Sequence, residues 1–176
     1  MPVAPTQRDF REHPATIRAM AAEPVVAREL WNVGVPLIGK EGIREILPQR
    51  FEMEHLDGIS FIDADNGLVA GWKDVTDDEF WVRGHLPGRP LLPGVVMLEA
   101  LAQMTSVAAK RVYPEMGFMG FGGIDKCKFR QSVAPGQRIV LLARAIDLRP
   151  RRAIFATQGW VDDRLAVEAQ ITGVRV

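Results

Sequence analysis

The chain is 176 residues long and 47% hydrophobic, enough for one domain with a substantial core and too short for two ordinary ones. Lysine plus arginine and aspartate plus glutamate both number 22, which excludes a chain-wide field for holding nucleic acid or an anionic membrane and leaves only local clusters to attract a charged partner. The single Cys127 excludes an internal disulfide, no apolar run approaches the ~18 residues of a membrane span, and MPVAPTQRDFREH lacks the basic start and apolar run of a secretory signal, so a cytoplasmic location is expected.

Residues 1–42 hold five of the twelve prolines and two short helical patterns, around Thr16 to Ala22 and Val25 to Trp31. They read as a packed N-terminal extension ahead of a domain spanning 43–176. Ser60 to Asp65 and Leu68 to Lys73 then flank Asn66-Gly67, a pair that tolerates positive φ in a type I′ turn, and so predict a β-hairpin. The run from Leu91 to Met104 contains Pro93, Gly94, Glu99 and Gln103 and reads as the start of a buried helix. From Pro93 to Val112 there is no breaker beyond Gly94, and a helix accepts proline at its first turn because that N–H would be unpaired anyway. One helix of about five turns is expected.

From Gly117 onward the pattern turns to long β segments: Gly122 to Val133, Gln137 to Leu148, Ala153 to Val161 and Leu165 to Val174. Their joints are turn-rich, at Pro135-Gly136, Arg149-Pro150-Arg151-Arg152 and Asp162-Asp163. The expectation is an α+β fold in which an antiparallel meander follows one long helix. A helix that is apolar on most sides must be surrounded, and a strongly curved antiparallel sheet wrapped around it does that simply.

Apart from Thr105, the polar residues of the helix up to position 110 are Glu99, Gln103, Ser106 and Lys110, whose spacing places them in one narrow stripe. Periodicity alone favours a solvated face. The alternative puts Glu99 in an apolar pocket, where desolvation raises a carboxylate pKa and suits it to donate a proton. His85 lies in a loop with three prolines and three glycines between Gly84 and Gly94. A lone histidine in such a loop is more often structural or exposed, yet a loop of that stiffness also suits a general base. It ends at the helix N-terminus, where Gly94 and Val95 offer unpaired N–H groups to a carbonyl oxygen acquiring charge.

These residues resemble a known family. Gly84-His85-Leu86-Pro87-Gly88-Arg89-Pro90-Leu91-Leu92-Pro93-Gly94-Val95, followed by Leu98-Glu99-Ala100-Leu101-Ala102-Gln103, is similar to the signature of the FabZ-type β-hydroxyacyl-acyl carrier protein dehydratases. The likeness continues in Ile46 to Phe51, Gly123 to Arg130 and Val133 to Gly136, and covers about Ile43 to Val176. It implies the hot-dog fold, a curved antiparallel sheet around a long helix. It implies His85 as the base for the α-proton, Glu99 as the residue that protonates or orients the departing β-hydroxyl, Gly94 as donor to the thioester carbonyl, and Gln103 as a hydrogen-bonded support of Glu99. It implies sites shared across a homodimer, a hexamer built as a trimer of dimers, and no metal or organic cofactor. Glu rather than Asp at position 99 resembles the branch that dehydrates without moving double bonds. Leu86 replaces the family's phenylalanine and Pro48-Gln49-Arg50-Phe51-Glu52-Met53 departs from its Pro-His-Arg-Tyr-Pro-Phe, differences that bear on tunnel shape; residues 1–42 have no counterpart.

Lys126, Lys128 and Arg130 alternate along one predicted strand, and the resemblance suggests that they dock an acidic acyl carrier protein with its phosphopantetheine arm. The turn arginines, Arg149, Arg151 and Arg152, read as solubility. His13, His55 and Cys127 form no short ligand pair, so no metal site is expected. Cys127, placed on one strand face with Asp125 and Phe129, reads as a buried structural thiol. Two other readings remain: a non-catalytic acyl-binding subunit of the same fold, and a hot-dog thioesterase.

Overall fold

The longest apolar stretch becomes the longest helix. In the computed structural model, which describes residues 8–9 and 23–176, Gly94–Val112 forms one helix of 19 residues, α2, with Pro93 at its N-cap. Pro114 follows its C-cap Tyr113, whose φ of −129° and ψ of 82° already leave the helical region, as the residue before a proline tends to do. A shorter helix, α1 (Lys40–Ile46), turns Ile43 into the core. Among the described residues no helix is long and apolar enough to cross a membrane.

Among the described residues eight strands form one sheet that curves around α2: β1 (Arg8–Asp9), β2 (Ile38–Gly39), β3 (Gly58–Asp63), β4 (Leu68–Asp74), β5 (Met119–Phe129), β6 (Arg138–Arg149), β7 (Arg152–Val161) and β8 (Arg164–Arg175). All pairings are antiparallel, in the order β2-β3-β4-β6-β7-β8-β5, and β1 extends the edge of β6 with Arg8 opposite Leu148. Side chains on α2 such as Leu101, Met104 and Val107 are wholly enclosed, which is the wrapped helix of a hot-dog fold.

The expected meander holds for β6, β7 and β8 but not for β5, which pairs with β8 at the far edge. Alternation of apolar residues marks a strand and carries no information about its neighbours. The chain leaving β5 recrosses to the side of β4, and Leu92 N–H secures that crossing by donating to the Val133 carbonyl at 2.7 Å.

The β3–β4 hairpin forms, with Asp63 opposite Leu68, but not through a type I′ turn at Asn66-Gly67. The Asp63 carboxylate accepts the N–H groups of Asp65 and Asn66 at 3.1 and 3.0 Å, which widens the turn to four residues and leaves Gly67 alone at positive φ, 66°. Consecutive positive φ values occur instead at Asp162 and Asp163, 46° and 62°, closing β7 onto β8 with Val161 opposite Arg164.

Alternate residues of the sheet feed two cores. Val69, Leu141, Ala143 and Phe155 face α2, while Ala70, Leu142, Ala156 and Trp160 face outward and are covered by Val25, Val26 and Trp31. The helical pattern around Val25 to Trp31 is realised only as a 3-10 turn, Arg28–Leu30; the pattern around Thr16 to Ala22 and His13 lie outside the described residues. Gln158, fully buried in this outer face, accepts the Val25 N–H at 2.9 Å and donates to the Glu23 carbonyl at 3.1 Å, so its amide stands in for a peptide unit. Arg28 lies 4.9 Å from the Trp31 ring centre and 5.2 Å from that of Trp160, with its charge paired to Asp163.

Gln158→Leu strips both backbone groups of their partner, and with them the Trp160 indole N–H, which donates to the same amide oxygen at 3.1 Å. The expected cost is about 1–3 kcal/mol in urea unfolding, with faster hydrogen exchange at the Val25 amide; an unchanged midpoint and exchange rate would show that the arm is held by its apolar side chains alone.

Candidate active site

The segment from Val75 to Pro93 carries His85 without helix or strand between β4 and α2. Its ends are fixed by backbone bonds, Val75 N–H to the Gln137 carbonyl at 2.9 Å and Leu92 N–H to Val133. His85 N–H donates to the Trp81 carbonyl at 2.8 Å, and Trp81 is buried. The ring Nδ1 lies 3.0 Å from the Leu91 carbonyl oxygen. A carbonyl can only accept, so Nδ1 carries the proton and the lone pair of the neutral ring is on Nε2. The side chain is exposed and lines an open groove of about 590 Å³ together with Leu86, Leu91, Gly94, Val95 and Phe129.

Gly94 and Val95 open α2 and have no preceding turn to bond to; the first N–H groups to turn back are those of Val96 and Met97, at 2.9 and 3.2 Å from the Pro93 carbonyl. The Phe129 ring lies over this end so closely that a Cβ at position 94 would sit 2.7 Å from its Cε1, so any larger residue there would have to displace the ring. The groove therefore joins a basic imidazole nitrogen to two N–H donors at the positive end of a helix dipole.

Glu99, one turn further along α2, is half-buried and is not among the residues that line the His85 groove. Gln103 donates to its carboxylate at 2.8 Å and to the Met53 carbonyl at 2.7 Å, while the Gln103 oxygen accepts the His55 N–H at 3.1 Å. With a backbone donor on one side and two acceptors on the other, the amide can be oriented only one way. The stripe singled out in the sequence is thus not a wet face: Gln103 is buried, Ser106 donates to the Ala102 carbonyl at 3.1 Å, and the Lys110 ammonium donates to the Ile46 carbonyl at 2.8 Å. Residues 46–55 cover it. Arg50 shapes that cover by donating to the carbonyls of Leu47 and Arg44 at 2.7 and 2.9 Å, and Phe51 turns the chain at φ 56° to present Met53.

A family model described as a FabA-like domain matches residues 47–170. The 3-hydroxyacyl-[acyl-carrier-protein] dehydratase FabZ of Desulfotalea psychrophila is 36% identical over 74% of this chain and 88% of its own length, and that of Enterococcus faecalis is 38% identical over 74% of this chain and 92% of its own. This chain belongs to the FabA-like family. Among solved structures, the dehydratase heterocomplex ApeI:P from Xenorhabdus doucetiae superimposes with a TM-score of 0.65 at 16% identity, covering 76% of this chain and 90% of that one. A hypothetical thioesterase with coenzyme A from Streptococcus pneumoniae does so with a TM-score of 0.57 at 8% identity, covering 77% and 95%; both likenesses speak to the fold alone.

In this FabA-like domain the basic residues near the groove are not a simple alternating face. A bulge at Lys126–Cys127, where Lys126 adopts φ 52°, sets Asp125 opposite Gln170 but Lys128 opposite Glu168, so the extra residue puts Lys126 out of step with Lys128 and Arg130. Arg130 is tied to Glu168, Nε to carboxylate at 3.1 Å, and Lys126 and Lys128 are exposed. The same bulge separates Cys127 from Asp125; the thiol packs half-buried against the core, and burial pushes its pKa up.

Two participants were not legible in the sequence. The Met53 carbonyl is a backbone group and leaves no mark in residue type. His55, set aside there as a lone histidine, is 1% exposed, and neither ring nitrogen has a hydrogen-bond partner among the described residues. It adjoins the buried pair of Lys73 and Glu79, 2.5 Å apart with side chains 6% and 10% exposed. Burial first, then the Lys73 charge, push the His55 pKa down, against the opposing pull of Glu79 and Glu99.

A folded-state pKa below the unfolded value of about 6.5 means that the unfolded chain binds the extra proton. The contribution is therefore complete above about pH 6.5 and is lost as pH falls through that value toward the folded pKa. Urea midpoints between about pH 7.5 and 5, above the ordinary carboxylate range, are expected to fall in the native chain and to flatten in His55→Leu. A parallel fall in both proteins would assign the acid sensitivity to other groups.

Proposed function

We propose that this protein dehydrates (3R)-hydroxyacyl groups carried on acyl carrier protein to trans-2-enoyl groups, in fatty acid or related lipid biosynthesis and in the cytoplasm. The observation that carries the reading is the His85 ring, held by Leu91 with its lone pair on Nε2 in a groove that also contains the Gly94 and Val95 N–H groups. Relatives identical to it at more than a third of the aligned positions are named as dehydratases of this kind. Residues 43–176 form the catalytic domain and residues 1–42 an N-terminal extension, of which Val25, Val26 and Trp31 cover the outer face of the sheet.

The thioester carbonyl accepts hydrogen bonds from Gly94 and Val95, which stabilise charge as the α-carbon loses its proton. His85 Nε2 takes that proton. The α-carbon pair then forms the double bond as the β C–O bond breaks, and Glu99 gives its proton to the leaving hydroxyl so that water departs rather than hydroxide. His85 ends as imidazolium and Glu99 as carboxylate, and solvent exchange returns both to their starting states. Gln103 aims the Glu99 carboxyl throughout. No step requires a metal or an organic cofactor.

Glu99 lies outside the groove of its own His85, which supports the reading that the acid serving His85 comes from a second copy of the chain. The edge strand β5, with Phe121, Ile124 and Phe129 exposed, supports that homodimer interface, and three such dimers build the hexamer. Lys126 and Lys128 steer the acidic carrier protein to the groove, with Arg130, braced by Glu168, at its rim.

Ultraviolet absorbance of the conjugated enoyl thioester measures the reaction directly. Turnover of a β-hydroxyacyl thioester is expected in the native protein and to drop at least roughly a hundredfold in His85→Ala and in Glu99→Gln. Release of free thiol would mark a thioesterase instead. Acyl binding without turnover across several chain lengths would mark a non-catalytic subunit, and a monomer by light scattering would sink the shared site.

A further inference from the structure

The base end of the site rests on a segment with no regular structure, and its middle is fastened by one buried ion pair. Lys73 lies within β4, opposite Ile139 of β6, and therefore on rigid scaffold. Its ammonium meets one oxygen of Glu79 at 2.5 Å, with both side chains almost fully enclosed. The other Glu79 oxygen accepts the Trp81 indole N–H at 3.3 Å. The Glu79 carbonyl accepts the Val82 N–H at 3.0 Å, and the Trp81 carbonyl accepts the N–H groups of Gly84 and His85 at 3.2 and 2.8 Å. A continuous chain of directed contacts thus runs from β4 through Glu79 and Trp81 to the backbone of His85.

We propose that Lys73 and Glu79 are positioning residues for His85: the pair orients the whole turn from Glu79 to His85 so that the imidazole ring reaches the Leu91 carbonyl and keeps its lone pair on Nε2. This rests on the reading of His85 as the base. Two apolar side chains in the same space would exclude water as well, but they make no directed contact. A carboxylate with a donor on each oxygen has one orientation, and the turn that carries it inherits that orientation. With both side chains almost fully enclosed, the removal of one member leaves the other buried without its present partner.

The test separates positioning from folding. Lys73→Met and Glu79→Gln each leave a buried group unpaired and lower stability, whereas the double variant Lys73→Met with Glu79→Leu replaces the pair by apolar volume and remains folded, a substitution that buried pairs often tolerate. The expected result in that folded double variant is a kcat lower by roughly ten- to a hundredfold, KM changed by no more than about twofold, and a His85 Nδ1 nitrogen resonance displaced from its hydrogen-bonded position. Assignment is straightforward, since the chain has three histidines and His85→Ala identifies the signal. Native kcat together with an unshifted His85 resonance would overturn the proposal. If the native protein turns over no hydroxyacyl thioester, the dehydratase reading fails by itself, and the resonance still decides: displacement upholds the anchoring of the ring, and an unmoved signal overturns it.

Discussion

Enclosing α2 is the constraint from which the rest follows. A helix so apolar cannot leave a wide face in water, and a curved antiparallel sheet closes on it with alternate residues of Val69, Leu141, Ala143 and Phe155. Yet a helix end cannot be sealed like its flank, because its first N–H groups have no partner within the helix. The protein leaves that end at an open groove, where Gly94 lies under Phe129. The reactive surroundings are thus a consequence of how a buried helix must begin.

Polar groups inside this fold are few, and each has a directional task. Gln158 replaces a peptide unit for the arm, Gln103 fixes the approach of a carboxylate, and Lys73 with Glu79 fastens the loop that carries His85. The ion pair adds little net stability over apolar residues of similar volume, since it must first recover its desolvation cost, whereas the Gln158 amide also satisfies backbone groups that would otherwise be stranded. What they contribute is geometry. His55 is the exception, a buried imidazole whose nitrogens bond to no described residue and whose pKa burial pushes down.

The sequence disclosed the elements whose physics is local. Periodicity and the Pro93-Gly94 start placed α2 from end to end, and the turn-rich joints bounded β6, β7 and β8 to within a few residues. The proline- and glycine-rich loop with the helix start gave the His85 groove. What stayed hidden depends on partners distant in the chain. The move of β5 to the far edge, the bulge at Lys126–Cys127 and the side-chain capping by Asp63 that displaced the type I′ turn all depend on pairing or hydrogen bonds that alternation does not encode. The polar stripe of α2 was visible, but residue type alone could not say that residues 46–55 would bury it, nor that a main-chain carbonyl at Met53 would lock Gln103.

The separation of base and acid within one chain has its own logic on the proposed reading. A base that takes a carbon-bound proton must reach substrate from a rigid but accessible loop, and His85 is exposed. An acid that must deliver its proton in one direction gains from being held inside the protein, and Glu99 is held by a buried amide with three fixed partners. The loop leads into the helix N-terminus, while Glu99 lies one turn further along α2, outside the groove that His85 lines. On that reading, two copies related by a closed two-fold axis would bring each kind of surface against the other and complete two sites at once. The same apposition would cover the apolar residues exposed along β5, so burial of that edge and completion of the catalytic pair would be one event.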